Sequence, residues 1–238
     1  MNFLVVNDDG VKAEGIKILV EKLKPYAKRI VVVAPKNEMS ANSHALTIKS
    51  GLMMEKCKDI CDGVDTYSLN GTPSDCVVYA INELNLDIDV VASGINRGYN
   101  VGDDIVYSGT VAAAAEGLMK GKIAMAFSCK YDSFDGAKYI DEVMKYLINT
   151  KMLDEKVIWN INLPATSKGI KITHQAKSTY KTIYEKREDN LFYSVCDTTA
   201  PLLDEPNGDI QTIKLGYISI SPLTFNMTVF DIYNKYHK

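Results

Sequence analysis

The chain has 238 residues, 46% of them hydrophobic and 24% charged, and a formal net charge of −3. These are ordinary globular values, and the length suits one large α/β domain with an appendage. The acidic balance excludes a nucleic-acid duplex as partner, which needs a basic surface, and no apolar run approaches the roughly 20 residues of a membrane span.

The first element is an apolar strand at residues 3–6 that runs straight into Asn7-Asp8-Asp9-Gly10. Paired acids at the carboxyl end of a first strand stand where open α/β sheets build their ligand sites. Adjacent carboxylates repel and raise each other's pKa, and a hard divalent cation removes that repulsion. Asp-Gly is also a common turn pair, so this motif alone leaves metal site and plain turn both open. The two acids also interrupt any apolar leader, so no signal peptide is expected. Five cysteines without zinc spacing point to reduced thiols in a cytoplasmic protein.

A helix follows, with Val11, Ile16, Leu19, Val20 and Leu23 on one face and Pro25 at its end. Residues 30–34 (Ile-Val-Val-Val-Ala) read as a strand buried on both faces. The polar loop at 35–47 carries Ser40, a neutral oxygen ligand placed to join the aspartates, and His44, which is either a phosphate contact or simply solvated. Thr72-Pro73-Ser74-Asp75 is a helix start with a capping box, and the helix runs to about Leu84. Capping accounts fully for that motif, so a role in lining the site is the weaker reading.

Residues 88–92 form another buried strand. The glycine-punctuated loop at 93–104 follows, with neither a phosphate-loop nor a dinucleotide fingerprint. Its Asn96 offers an amide oxygen to a metal or an amide N–H to a phosphate. Ser108-Gly109-Thr110 enters an alanine-rich helix at 110–119, a start that is either an anion site or ordinary N-capping. A strand at 123–127, an amphipathic helix at 136–148 and a strand at 157–161 complete a βαβα alternation. That alternation predicts an α/β fold with a doubly wound, mostly parallel sheet over about residues 1–165.

The remainder, about 166–238, reads as an extension of the same single domain. Residues 180–195 alternate as a β-hairpin turning near Asn190, residues 204–209 as a polar loop, residues 216–221 as a strand halted by Pro222, and the tail from Phe230 as a helix. An isolated hairpin is marginal in water, so it packs on something: a second copy, for which exposed apolar alternation is the simplest mark, or its own core.

Three strand-end loops thus bring Asp8, Asp9, Ser40 and Asn96 to one rim for a cation, and Asn96, Ser108, Gly109 and Thr110 for an anion. A cation beside an anion hole is what phosphoryl chemistry needs. Asp8 is the preferred group to position or deprotonate water, with Asn96 beside it. A receiver-like, Mg²⁺-binding signalling module is the alternative, but it needs a phospho-accepting aspartate after the middle strand, where Ser93-Gly94 stands.

Asn-Asp-Asp-Gly at 7–10, Val-Ala-Pro at 33–35 with Ser40 downstream, Gly-Thr-Pro-Ser-Asp-Cys-Val at 71–77, Ser-Gly-Ile-Asn-Arg-Gly-Tyr-Asn at 93–100 and Tyr-Ser-Gly-Thr-Val at 107–111 occur in that order. Together they resemble the SurE family, the survival-protein 5′-nucleotidases. The later segments Asn-Ile-Asn-Leu-Pro at 160–164 and Gly-Tyr-Ile-Ser-Ile-Ser-Pro-Leu at 216–223 are similar to its later signatures. The resemblance implies a Rossmann-like core and a phosphatase that uses one divalent metal ion, Mg²⁺ or Mn²⁺, with Ca²⁺ as a substitute in crystals. It implies nucleoside 5′-monophosphates as substrate, with 3′-nucleotides and short polyphosphate besides. It carries the metal-ligand role onto Asp8, Asp9, Ser40 and Asn96, and implies a homodimer or homotetramer built through the C-terminal extension. Ala41 departs from the glycine that the family usually places after the serine.

Overall fold

The computed structural model describes every residue except 59, 85, 179–180, 198–204 and 238. Its centre is a nine-stranded sheet in the order β3-β4-β2-β1-β5-β6-β7-β11-β8. The strands are β1 Asn2–Val6, β2 Arg29–Pro35, β3 Met54–Cys57, β4 Asp65–Leu69, β5 Val90–Arg97, β6 Ile123–Cys129, β7 Ile158–Leu163, β8 Ile170–Ile172 and β11 Ile218–Leu223. β1 lies between β2 and β5 and is parallel to both. From β1 the chain winds outward through β2 and β4 on one side and through β5, β6 and β7 on the other. The strand order therefore reverses at β1, and the crevice beyond the carboxyl ends of β1 and β5 is the switch point of the sheet.

Side chains alternate across the sheet as the period of two requires. Phe3 and Val5 face the cluster that holds Ile16, Leu19 and Leu23 of α1 (Glu14–Leu23) and Ile140, Met144 and Leu147 of α4 (Ile140–Asn149). Leu4 and Val6 face the opposite layer, with Cys76, Val77 and Ala80 of α2 (Pro73–Glu83) and Ala113 of α3 (Gly109–Met119). The small residues of α3 let it lie close on the strands: a Cβ on Gly117 would stand 2.6 Å from the Val91 side chain. The α2 capping box is present, with Thr72 and Asp75 bonding reciprocally.

Several expectations shift. β5 continues through Ser93 to Arg97 in a segment expected as loop, because Asn96 and Arg97 resume pairing with Ser128 and Cys129 after a register shift. Gly94 makes the shift possible: its φ is +130°, and a Cβ there would meet the Phe127 carbonyl oxygen at 2.4 Å. The edge strand β3 and its neighbour β4 are additional to the expected elements. Residues 135–139 are a 3₁₀ turn ahead of α4, and Asp209, expected in a loop, begins the short helix α5 (Asp209–Lys214).

The larger change concerns the C-terminal third. β11 pairs antiparallel with β7 and parallel with β8, and its Ile218 and Ile220 are fully buried, so the sheet does not stop near residue 165. The hairpin stands apart from that sheet. β9 (Lys181–Lys186) and β10 (Phe192–Asp197) form their own antiparallel pair, with Asn190 at φ +64° in the turn, while Tyr180 lies outside the described residues. The tail forms helix α6, Phe230–Tyr236. No described helix is long and apolar enough to cross a membrane.

Candidate active site

β1 delivers Asp8 and Asp9 to the switch point. Gly10, at φ +96°, turns the chain away, and the Asn7 side-chain amide closes the turn on the Gly10 carbonyl at 2.9 Å. Asp8 is buried, and its Oδ1 accepts the Thr110 hydroxyl at 2.5 Å. Burial pushes the Asp8 carboxyl up, while the Thr110 hydroxyl and backbone N–H draw it back. Asp9 is pushed up to about 6, first by burial and then by the charge of Asp8, against the pull of the Arg97 backbone N–H. Its Oδ2 is buried with no hydrogen-bond partner among the described residues. Two crowded carboxylates with an orphaned oxygen are a donor set that a hard cation satisfies.

The other predicted residues converge from three elements. Asp8, Ser40, Asn96 and Ser108 line one open cleft of about 380 Å³, whereas Asp9, Gly109 and Thr110 do not line it. The Ser40 loop is tied down by the Met39 N–H donating to the Asp8 carbonyl at 2.7 Å and the Ser43 N–H to the Tyr107 carbonyl at 3.0 Å. The Ser40 hydroxyl itself donates to Glu38 at 2.8 Å. Ala41 holds φ +57°, a left-handed conformation that favours glycine. Asn96 uses one amide hydrogen on the Gly98 carbonyl at 2.8 Å, which fixes its side chain at the rim.

The start of α3 is built differently from the expectation. Thr110 gives its hydroxyl to Asp8, so it holds that carboxylate and does not present the hydroxyl to an incoming anion. Gly109 is required by the same contact: a Cβ there would stand 2.9 Å from the Asp8 Cβ and 3.1 Å from its Oδ2. Ser108 caps the helix, its Oγ accepting the Val111 N–H at 3.1 Å, and retains a hydroxyl hydrogen to donate.

His44 is partnered: its Nε2 lies 2.8 Å from Oε1 of buried Glu116 on α3. Asp75 does more than cap, since it also accepts the Thr47 N–H at 3.0 Å and the Thr47 hydroxyl at 2.6 Å, pinning the far end of the Ser40 loop.

Sequence reasoning missed Glu38, Tyr99, Asn100 and Tyr131, which also line the cleft. It missed the support beneath Asn100 too. The Asn100 N–H donates to Asn162 Oδ1 at 2.9 Å, and its carbonyl accepts Asn160 Nδ2 at 2.8 Å and Asn162 Nδ2 at 3.0 Å. Two asparagines inside an otherwise apolar buried strand were the available signal. Asp209 supports the next turn, accepting the Gly102 N–H at 3.0 Å, and a periodic reading of the distant segment gives no sign of it. Among the described residues, no group of three or more His, Cys, Asp or Glu is placed to hold a metal, so the carboxylate pair with neutral oxygens remains the candidate.

Residues 3–182 match the family model described as Survival protein SurE. A protein of Clostridium botulinum (strain Alaska E43 / Type E3) named 5′-nucleotidase SurE is 38% identical over 252 aligned residues, spanning 100% of this chain and 99% of that protein. One from Clostridium beijerinckii with the same name is 37% identical over 247 aligned residues, spanning 98% and 96%. The crystal structure of the SurE protein from Aquifex aeolicus superposes with a TM-score of 0.82 at 32% identity, covering 99% of this chain and 98% of that one.

Proposed function

The chain belongs to the SurE family, and from that premise we propose that it is a 5′-nucleotidase, a phosphomonoesterase that releases phosphate from nucleoside 5′-monophosphates with the help of one divalent cation. The observation that carries the reading is the pair Asp8 and Asp9 at the switch point, one held by Thr110 and the other left with a buried, unpartnered oxygen.

Asp8 and Asp9, with Ser40 and Asn96, would hold the cation, Mg²⁺ or Mn²⁺. When bound, such a cation supplies Lewis-acid neutralisation of the charge on the phosphoryl group. Asp8 orients the attacking water and takes its proton, its direction fixed by Thr110. The water oxygen forms a bond to phosphorus as the bond to the ester oxygen breaks, and the proton passes to the departing alcohol. Asn96, Ser108 and the backbone N–H of Gly109 receive the phosphoryl oxygens, while Thr110 acts one step removed, through Asp8.

We extend the proposal to 3′-nucleotides and short polyphosphate, as the family resemblance implies, to a cytoplasmic location, with Cys57, Cys61, Cys76 and Cys129 as free thiols, and to a homodimer or homotetramer. The test is steady-state phosphate release over a panel of 5′- and 3′-nucleotides and polyphosphate, each with Mg²⁺, Mn²⁺ or Ca²⁺ after chelation. Multiple turnovers on 5′-monophosphates support the reading. A single stoichiometric phosphorylation, as a receiver domain would give, overturns it.

A further inference from the structure

The phosphate end of the cleft is accounted for, but two large aromatic side chains at its mouth are not. Tyr107 is 59% exposed and Tyr131 is 76% exposed, and both line the cleft that holds Asp8 and Ser108. Tyr107 is the last residue of the 3₁₀ turn Gly102–Tyr107 and directly precedes Ser108, the cap of α3. It is held there by Ser43, whose N–H donates to the Tyr107 carbonyl at 3.0 Å and whose hydroxyl donates to the Val106 carbonyl at 2.7 Å.

Tyr131 comes from a different element, the turn after β6. That turn lies against Gly98, whose N–H donates to the Cys129 carbonyl at 3.0 Å. Gly98 has φ +110°, and a Cβ there would stand 4.0 Å from the Tyr131 ring. Neither exposed ring has a ring partner among the described residues that would explain its position as packing. The other charged side chains along the cleft above Asp8 are Glu38, Asp104 and Arg97, and the Arg97 guanidinium is already paired with Glu14 at 3.1 Å. With that cation paired and two carboxylates beside it, the rim favours no second anionic group, but it leaves a flat neutral ring free to lie on exposed aromatic faces.

We infer that Tyr107 and Tyr131 form the subsite that takes the base of the nucleoside monophosphate, stacking it at the cleft mouth while the phosphate lies by Asp8 and Ser108. The inference rests on the phosphatase reading above and adds what selects a nucleotide over any other phosphomonoester. Stacking follows ring area, so purine nucleotides rank above pyrimidine nucleotides.

The experiment compares kcat/KM for adenosine 5′-monophosphate and for ribose 5-phosphate, which lacks the base, in the wild type and in Tyr131→Ala, Tyr131→Phe, Tyr107→Ala and Tyr107→Phe. The ratio of the two values is expected to fall roughly tenfold in each alanine variant, mainly through KM for the nucleotide, and to stay near the wild-type ratio in each phenylalanine variant, because the face and not the hydroxyl does the stacking. An unchanged ratio in both alanine variants, with wild-type hydrolysis intact, overturns the subsite and leaves the phosphatase reading standing. Equal loss on both substrates overturns it too, by marking the tyrosines as general supports of the cleft. A wild type that hydrolyses neither substrate overturns the phosphatase reading and the subsite with it.

Discussion

The Thr110 hydroxyl donates to the Asp8 carboxylate at 2.5 Å, so the start of α3 serves the acid pair of β1 directly. A helix start that looks like a phosphate cradle here orients a protein carboxylate. Asp8 is therefore a fixed group, with one oxygen engaged and its pKa the balance of burial against that bond.

Thr110→Val keeps the volume and removes the bond. The lost contact is one that lowers the Asp8 pKa, so the variant holds its carboxyl higher still, and cation binding, which needs the ionised form, weakens. Loss of a group that orients a ligand typically costs roughly 10–100-fold in metal affinity. Calorimetric titration with Mn²⁺ at neutral pH measures it, and an affinity equal to wild type contradicts the positioning role.

Gly109→Ala tests the close approach of α3 to Asp8. Its Cβ would stand 2.9 Å from the Asp8 Cβ, so either the helix start or the carboxylate must move. A shift of that kind typically costs about 1–3 kcal/mol of stability. Turnover is expected to fall much further than thermal stability does, because the displaced group is the acid. Activity retained alongside a lowered melting temperature would place Gly109 in packing alone.

Most of the parallel framework was legible because its strands are buried on both faces and read as continuous apolar runs, as at Val31, Val32 and Val33. The edge strand β3 was not, because an edge is half-solvated and Met-Glu-Lys-Cys has no apolar run to show. β11 was expected as a strand, but its place beside β7 depends on pairing across more than fifty residues, which periodicity does not encode. The acid pair was legible because adjacent carboxylates are electrostatically costly. The direction of the Thr110 hydroxyl was not, because N-capping and anion binding use the same residue types.

Asp209 offers a test with a definite sign. Its oxygens accept the N–H groups of Gly102, Ala176 and Ile210, and burial still leaves its pKa raised. A folded carboxyl with a raised pKa gives stability that is fully present below the unfolded value of about 3.9 and is lost as pH rises through the folded value. Denaturant titration across that window should therefore show wild type gaining on Asp209→Asn as the pH falls. A difference independent of pH refutes the assignment.

Self-association is expected from the apolar residues left outside the sheet. Tyr184 and Phe192 on the hairpin are 68% and 65% exposed, and Met227 near the tail is 93% exposed. Light scattering at micromolar concentration should give a multiple of the 26.4 kDa chain mass. A monomer mass refutes the proposal, and an oligomer that survives changing Tyr184 and Phe192 together to serine moves the interface elsewhere.

The central claim is that Asp8 and Asp9 build a cation-dependent phosphomonoesterase. The most direct measurement is phosphate release from adenosine 5′-monophosphate by wild type and Asp8→Asn, each after chelation and again after Mg²⁺ or Mn²⁺ is restored, with circular dichroism as the check on folding. The account predicts that chelated wild type is inactive, that restored cation returns its activity, and that folded Asp8→Asn stays at least about 100-fold below it, a transition-state loss of about 2.7 kcal/mol. Full activity in the chelated enzyme, or in Asp8→Asn, would contradict it.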